Sequence, residues 1–210
     1  QLIESTPDGK EIRRIDVPEY QVPNGFSTRG IYNNNGPEGM TLIDGGRTAV
    51  TVQENALAQD GAKNSEEDAS LNRITFYDLD SGKPTREYVV RVEAGRGATS
   101  LLADENGELY MLERGFFKDL GENGENKAEI YKLDFDGADE VLGREKLTGG
   151  ENTVGKHLVF DFATEKPHPD NVEGLAWGPR ADDGRRTLIV VTDNNFNDTQ
   201  TTYFHTVLVP

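Results

Sequence analysis

The chain has 210 residues and a formal net charge of −16, from 38 acidic against 22 basic side chains, and it contains no cysteine. Disulfides, thiolate metal sites and cysteine nucleophiles are therefore excluded. The acid excess argues against nucleic acid and anionic membrane surfaces as partners, and no stretch is apolar for long enough to make a membrane helix.

In chain order, alternating apolar and polar runs predict short strands, and nothing resembles a long amphipathic helix. Residues 2–5 and 11–17 flank the turn Pro7-Asp8-Gly9. A second group comprises 39–43, 48–53, 73–79 and 86–92, and a third 99–103, 109–113, 129–134 and 157–162. Residues 174–177, 187–192 and 203–209 close the chain. Between the strands lie Asp44-Gly45-Gly46, Asn106-Gly107, Asp136-Gly137 and Asp183-Gly184, pairs that accept the positive φ of tight hairpins.

The groups repeat one plan. Glu38-Gly39-Met40-Thr41-Leu42, a turn, Arg47 to Val52 and then Gln53-Glu54-Asn55 is echoed by Glu173-Gly174-Leu175-Ala176-Trp177, Asp183-Gly184, Arg185 to Thr192 and Asp193-Asn194-Asn195. The run from Ala98 to Glu113 follows the same plan without the Glu-Gly. An ordered recurrence of four antiparallel strands predicts an all-β fold of β-propeller type, and a β-sandwich would not explain the order. The predicted units are 1–24 (the second half of a blade), 36–96, 97–166 and 170–210, about three and a half blades, too few to close a ring. Strands from an N-terminal fragment or a companion chain are therefore expected to complete it. The chain opens without a leader, which suits a cytosolic, a processed secreted or a trimmed protein alike.

The run Asn171 to Arg180, with Asp183-Gly184-Arg185-Arg186-Thr187-Leu188 and on to Asn197, resembles the C-terminal signature of the phytase-like ("esterase-like activity of phytase") propeller family. Pro37-Glu38-Gly39-Met40 and Asn72 to Leu79 are similar to that family's internal pattern. The resemblance covers essentially the whole chain. It implies a periplasmic or extracellular protein with an additional N-terminal region, and hydrolysis of phosphoric or carboxylic esters. Many propellers only bind, so the reaction has to be argued from the site.

In a propeller the first strands line the central channel, which would bring Glu38 and Glu173 near the axis. Glu54, Glu113 and Asp193 are read as ending the second strands, followed by Asn55, Arg114 and Asn194. Carboxylates and amide oxygens converging there would suit Ca²⁺, which would polarise an ester oxygen and activate a water. Arg73 and Arg114 would grip an anionic ester. Structural roles stand beside each of these: backbone hydrogen bonding for the glutamates, loop capping for Asp193-Asn194-Asn195, and an inter-blade ion pair for Arg73. Asp193 to Asp198 begins like a calcium loop but has Phe204 at the twelfth position. His157, His168 and His205 lack metal-ligand spacing, and no Gly-x-Ser-x-Gly elbow is present. A non-catalytic binding propeller and a lactonase-like hydrolase are the rival functions.

Overall fold

The computed structural model describes residues 1–121, 124–165 and 170–209. Among the described residues it is all-β, with thirteen strands and only short 3-10 turns at Glu19–Gln21, Asp44–Gly46 and Phe162–Thr164. The strands form four antiparallel sheets in chain order. β1 (Leu2–Ser5) pairs with β2 (Glu11–Ile15). β3 (Pro37–Ile43), β4 (Thr48–Gln53), β5 (Ser70–Asp78) and β6 (Lys83–Val92) form a four-stranded meander. β7 (Gly97–Ala103), β8 (Leu109–Phe117), β9 (Glu125–Asp134) and β10 (Gly155–Asp161) form another. β11 (Val172–Trp177), β12 (Arg186–Thr192) and β13 (Phe204–Val209) make the last, three-stranded sheet.

Alternation along the central strands explains how the sheets stack, because successive side chains leave a strand on opposite faces. In the third sheet, Leu109 and Met111 meet Val50, Val52, Ile74, Phe76, Val90 and Val92 of the second. Their neighbours Tyr110 and Leu112 turn the other way, onto Val172, Leu188, Val190 and Val207 of the fourth. The second sheet uses Ala49 and Tyr77 to cover Ile15 of the first. The inner sheets are thus buried on both faces. The first strands β3, β7 and β11 lie side by side, an arrangement consistent with a propeller.

Most strands extend beyond their expected ends, because backbone pairing continues where the side-chain pattern fades. The longest extension is the β8–β9 hairpin, in which Gly115 faces Lys127 and Phe117 faces Glu125. At the turns the sequence reading holds in detail: Gly107 and Gly184 sit at φ 81° and 84°. Trp177 packs against the third sheet, its ring edge-on to Tyr110 with centroids 5.2 Å apart and its indole N–H donating to the Ala103 carbonyl at 2.7 Å.

Candidate functional site

The three long sheets share a local device at the same end. Each first strand carries a β-bulge: between Pro37 and Gly39, between Ala98 and Ser100, and between Val172 and Gly174. The bulged residues are Glu38, Thr99 and Glu173. A bulge inserts one extra residue and re-aims its side chain. The glycine that follows each glutamate has a packing reason: a Cβ on Gly39 would lie 2.6 Å from Val52 Cγ1, and one on Gly174 2.7 Å from Val191 Cγ1. The Glu-Gly repeat is therefore a bulge followed by a close inter-strand approach.

The same register fixes which residues end the second strands. Glu54 donates its N–H to the Gly36 carbonyl at 3.0 Å, Asp193 donates to that of Asn171 at 2.8 Å, and Arg114 stands opposite Gly97. Glu54, Arg114 and Asp193 are thus equivalent. Glu113 is equivalent to Gln53 and Thr192, one residue earlier than the sequence alignment places it. Because the side-chain period is two, that single step sends Glu113 to the other face. There its carboxylate is fully buried and accepts from Lys156 Nζ at 2.6 Å and from the Glu93 N–H at 3.2 Å. Burial pushes the Glu113 carboxyl above its ordinary range, against the pull of Lys156.

Five of the singled-out residues act on one another. Arg114 forms an ion pair with Glu173 across the seam between the third and fourth sheets. Loss of solvent around the Glu38 carboxyl, then the negative charges of Glu54 and Glu173, push it up to about 7, although Arg114 pulls the other way. Glu38 is still an exposed residue. Partial burial also raises the Glu173 carboxyl, with Arg114 opposing and Asp193 adding to the rise. Glu54 accepts from Asn35 Nδ2 at 2.8 Å, and a Cβ on Gly97 would come within 2.8 Å of its Cγ. Asp193 is exposed, and the Asn194 carboxamide oxygen accepts the Phe196 N–H at 3.2 Å within the following turn.

Arg73 lies apart from this centre. It is fully buried, with Nε and Nη2 on the Asp60 carboxylate at 2.7 and 3.0 Å and Nη1 on Glu87 at 2.6 Å. Burial works against its charge, but these two carboxylates outweigh it and hold the guanidinium's pKa above its ordinary value. The same Glu87 accepts from Tyr20 at 3.0 Å, Gln21 at 2.6 Å and Thr75 at 2.8 Å, so this network anchors residues 20–21 to the second sheet.

Two residues that the sequence reading passed over belong beside the centre. Thr99 is buried, and its hydroxyl has no hydrogen-bond partner among the described residues. It was missed because the third unit lacks the Glu-Gly signal, although its place in the repeat could have marked it. Arg96 lines a cleft of about 260 Å³ with Arg114, Glu54 and Asn64, and its Nη1 pairs with Glu129. Beside the cleft the 93–97 turn rests directly on Gly115, where any Cβ would run into the Gly95 carbonyl oxygen. The signal for Arg96 was Gly95-Arg96-Gly97 itself, a cation between two glycines.

Among the described residues no three His, Asp or Glu side chains gather as a metal-ligating group. The only described histidines are His157 and His205, since His168 lies outside the described residues. A guanidinium is engaged among the central carboxylates, through Glu173. This donor set does not fit a resident Ca²⁺, which takes six to eight oxygens at close range.

No helix among the described residues is long and apolar enough to cross a membrane. None of the curated proteins or solved structures compared with the chain matches it. A family model does match, over residues 1–196, and its description is phytase-like, esterase-like activity of phytase. With nearly all of its length covered by that match, the chain belongs to the phytase-like family.

Proposed function

We propose that the chain is an ester hydrolase working at the end of the sheets where Glu38, Glu54, Arg114 and Glu173 meet, on propeller blades formed by the stacked sheets. The observation that carries this reading is the coupling of Glu38 to its neighbours. A carboxyl held at about 7 beside a guanidinium combines a proton acceptor poised near neutrality with a fixed positive charge. In the proposed reaction the Glu38 carboxylate takes a proton from a water as the water oxygen attacks the ester carbonyl. Arg114 stabilises the charge that develops on the carbonyl oxygen. The tetrahedral intermediate then collapses, the ester C–O bond breaks, and Glu38 returns the proton to the departing alkoxide. Water and ester thus become acid and alcohol. Family membership supports a hydrolytic reaction of this kind.

The charge around the centre bears on the substrate. Glu54, Glu173 and Asp193 stand with two arginines that are already engaged by carboxylates, Arg114 by Glu173 and Arg96 by Glu129. Without a cation to offset them, these carboxylates repel a dianionic phosphate ester more than a neutral carboxylic ester or lactone. We therefore place carboxylic esters and lactones ahead of phosphomonoesters.

Initial rates on p-nitrophenyl acetate, a small lactone and p-nitrophenyl phosphate, with and without added Ca²⁺, test this reading. The expected result is turnover of the carboxylic substrates, indifferent to Ca²⁺ and lost in Arg114→Gln. Phosphate-ester turnover appearing only with Ca²⁺ would overturn the charge argument. Absence of all turnover would favour a non-catalytic binding propeller. A periplasmic or extracellular setting is the one we infer from the family.

A further inference from the structure

A cavity lies at the other end of the sheets, where β3 finishes at Ile43 and β8 begins at Leu109. Five residues of strand separate Leu109 from Arg114, or about 16 Å. The cavity occupies the seam between the second and third sheets and has a volume of about 580 Å³, the size range of small-molecule sites.

One wall is aromatic. Phe76, Tyr88 and Phe135 meet edge to face, with centroid separations of 5.9 Å (Phe76–Tyr88), 5.7 Å (Phe76–Phe135) and 5.2 Å (Tyr88–Phe135). Ile43 and Leu133 extend this apolar lining. The polar rim holds three basic side chains. Lys132 Nζ faces Glu108 at 2.7 Å, and His157 Nε2 faces Asp134 at 3.5 Å. The third, Arg86, stacks on the Phe76 ring at 4.4 Å and has no carboxylate partner among the described residues. An exposed guanidinium, already oriented by an aromatic ring and left uncompensated in so acidic a chain, selects for negative charge at the mouth of an apolar cavity.

We propose that this cavity is a second binding site, for a small amphipathic anion with a ring-like apolar body and one carboxylate or sulfonate. The body stacks against Tyr88 and Phe135, and the anionic group pairs with Arg86. This site is separate from the hydrolytic centre and does not depend on that assignment.

Fluorescence titration with 1-anilinonaphthalene-8-sulfonate, an aromatic sulfonate, tests the site in the intact chain. Arg86→Gln should weaken binding by about tenfold or more, the usual effect of losing one charge-assisted contact. Arg91→Gln removes the same charge from an exposed position of the same strand, outside the cavity, and should leave binding unchanged. In competition, indole-3-acetate should displace the probe about tenfold more effectively than neutral indole. Equal effects of the two arginine substitutions would overturn the proposal, as would equal displacement by the acid and the neutral indole. Ester turnover is expected to be the same in Arg86→Gln as in the parent.

Discussion

Replacing Glu38 by Gln separates stability from activity. In the folded chain its carboxyl titrates at about 7, against an ordinary value of 4.5. The folded state therefore keeps a proton that the unfolded state releases, and stability falls as pH rises through that window. Below the window both states are protonated and no penalty exists; above it the penalty is complete. Full linkage over such a shift would amount to about 3 kcal/mol. Glu38 is exposed, however, and solvent screening reduces this to on the order of 1 kcal/mol. Urea denaturation of parent and Glu38→Gln should thus coincide near about pH 4 and separate by about 1 kcal/mol near pH 8, with the variant the more stable. In a thermal scan that corresponds to roughly 2–4 °C for a chain of this length. Turnover should meanwhile drop by about a hundredfold or more, as expected when a general base is removed. A stability difference that does not change with pH, or a variant less stable at the alkaline end, would refute the electrostatic coupling of Glu38 to Glu54 and Glu173.

Substitutions of Arg73, Lys156 and Thr99 probe the surrounding framework. Arg73→Leu would leave the buried Asp60 and Glu87 carboxylates uncompensated and should cost about 3–5 kcal/mol in urea unfolding. Arg73→Lys should cost less and leave KM unchanged, whereas a raised KM with intact stability would mean that Arg73 binds substrate. Lys156→Met should destabilise by about 3 kcal/mol at neutral pH, and by less in acid, where the raised Glu113 carboxyl is neutral. Adding Glu113→Gln should restore most of the loss, and purely additive effects would contradict the pairing. Thr99→Val keeps the side chain's shape and removes a hydroxyl without a partner, so stability should hold or rise by up to about 1 kcal/mol. If Thr99 serves the centre, its turnover falls while Thr99→Ser retains activity; equal turnover in both would remove Thr99 from the site.

Much of this protein was legible in its sequence. Period-two alternation located every strand group, because a strand has only two faces and its hydrophobic residues must recur on one of them. Asn106-Gly107 and Asp183-Gly184 marked hairpins because their glycines accept a positive φ. The repeated Glu-Gly marked the start of two first strands, and the bulges there emerge only from the strand pairing.

Register and partnership were decided only in three dimensions. Glu113 and Arg114 are neighbours in the chain, and nothing local says which one faces the centre; the bulge at Thr99 sets the phase. Arg73 reads equally well as a substrate clamp or an ion-pair partner until Asp60 and Glu87 arrive from 13 and 14 residues away and enclose it. Glu38 carries no sign in its own sequence of a carboxyl held at about 7, since that depends on the burial that packing imposes and on the charges of Glu54 and, from another sheet, Glu173. Local patterning fixes which segments become strands because backbone geometry is a short-range property. The chemistry of the centre comes from charges brought together by packing, which the order of residues along the chain does not encode.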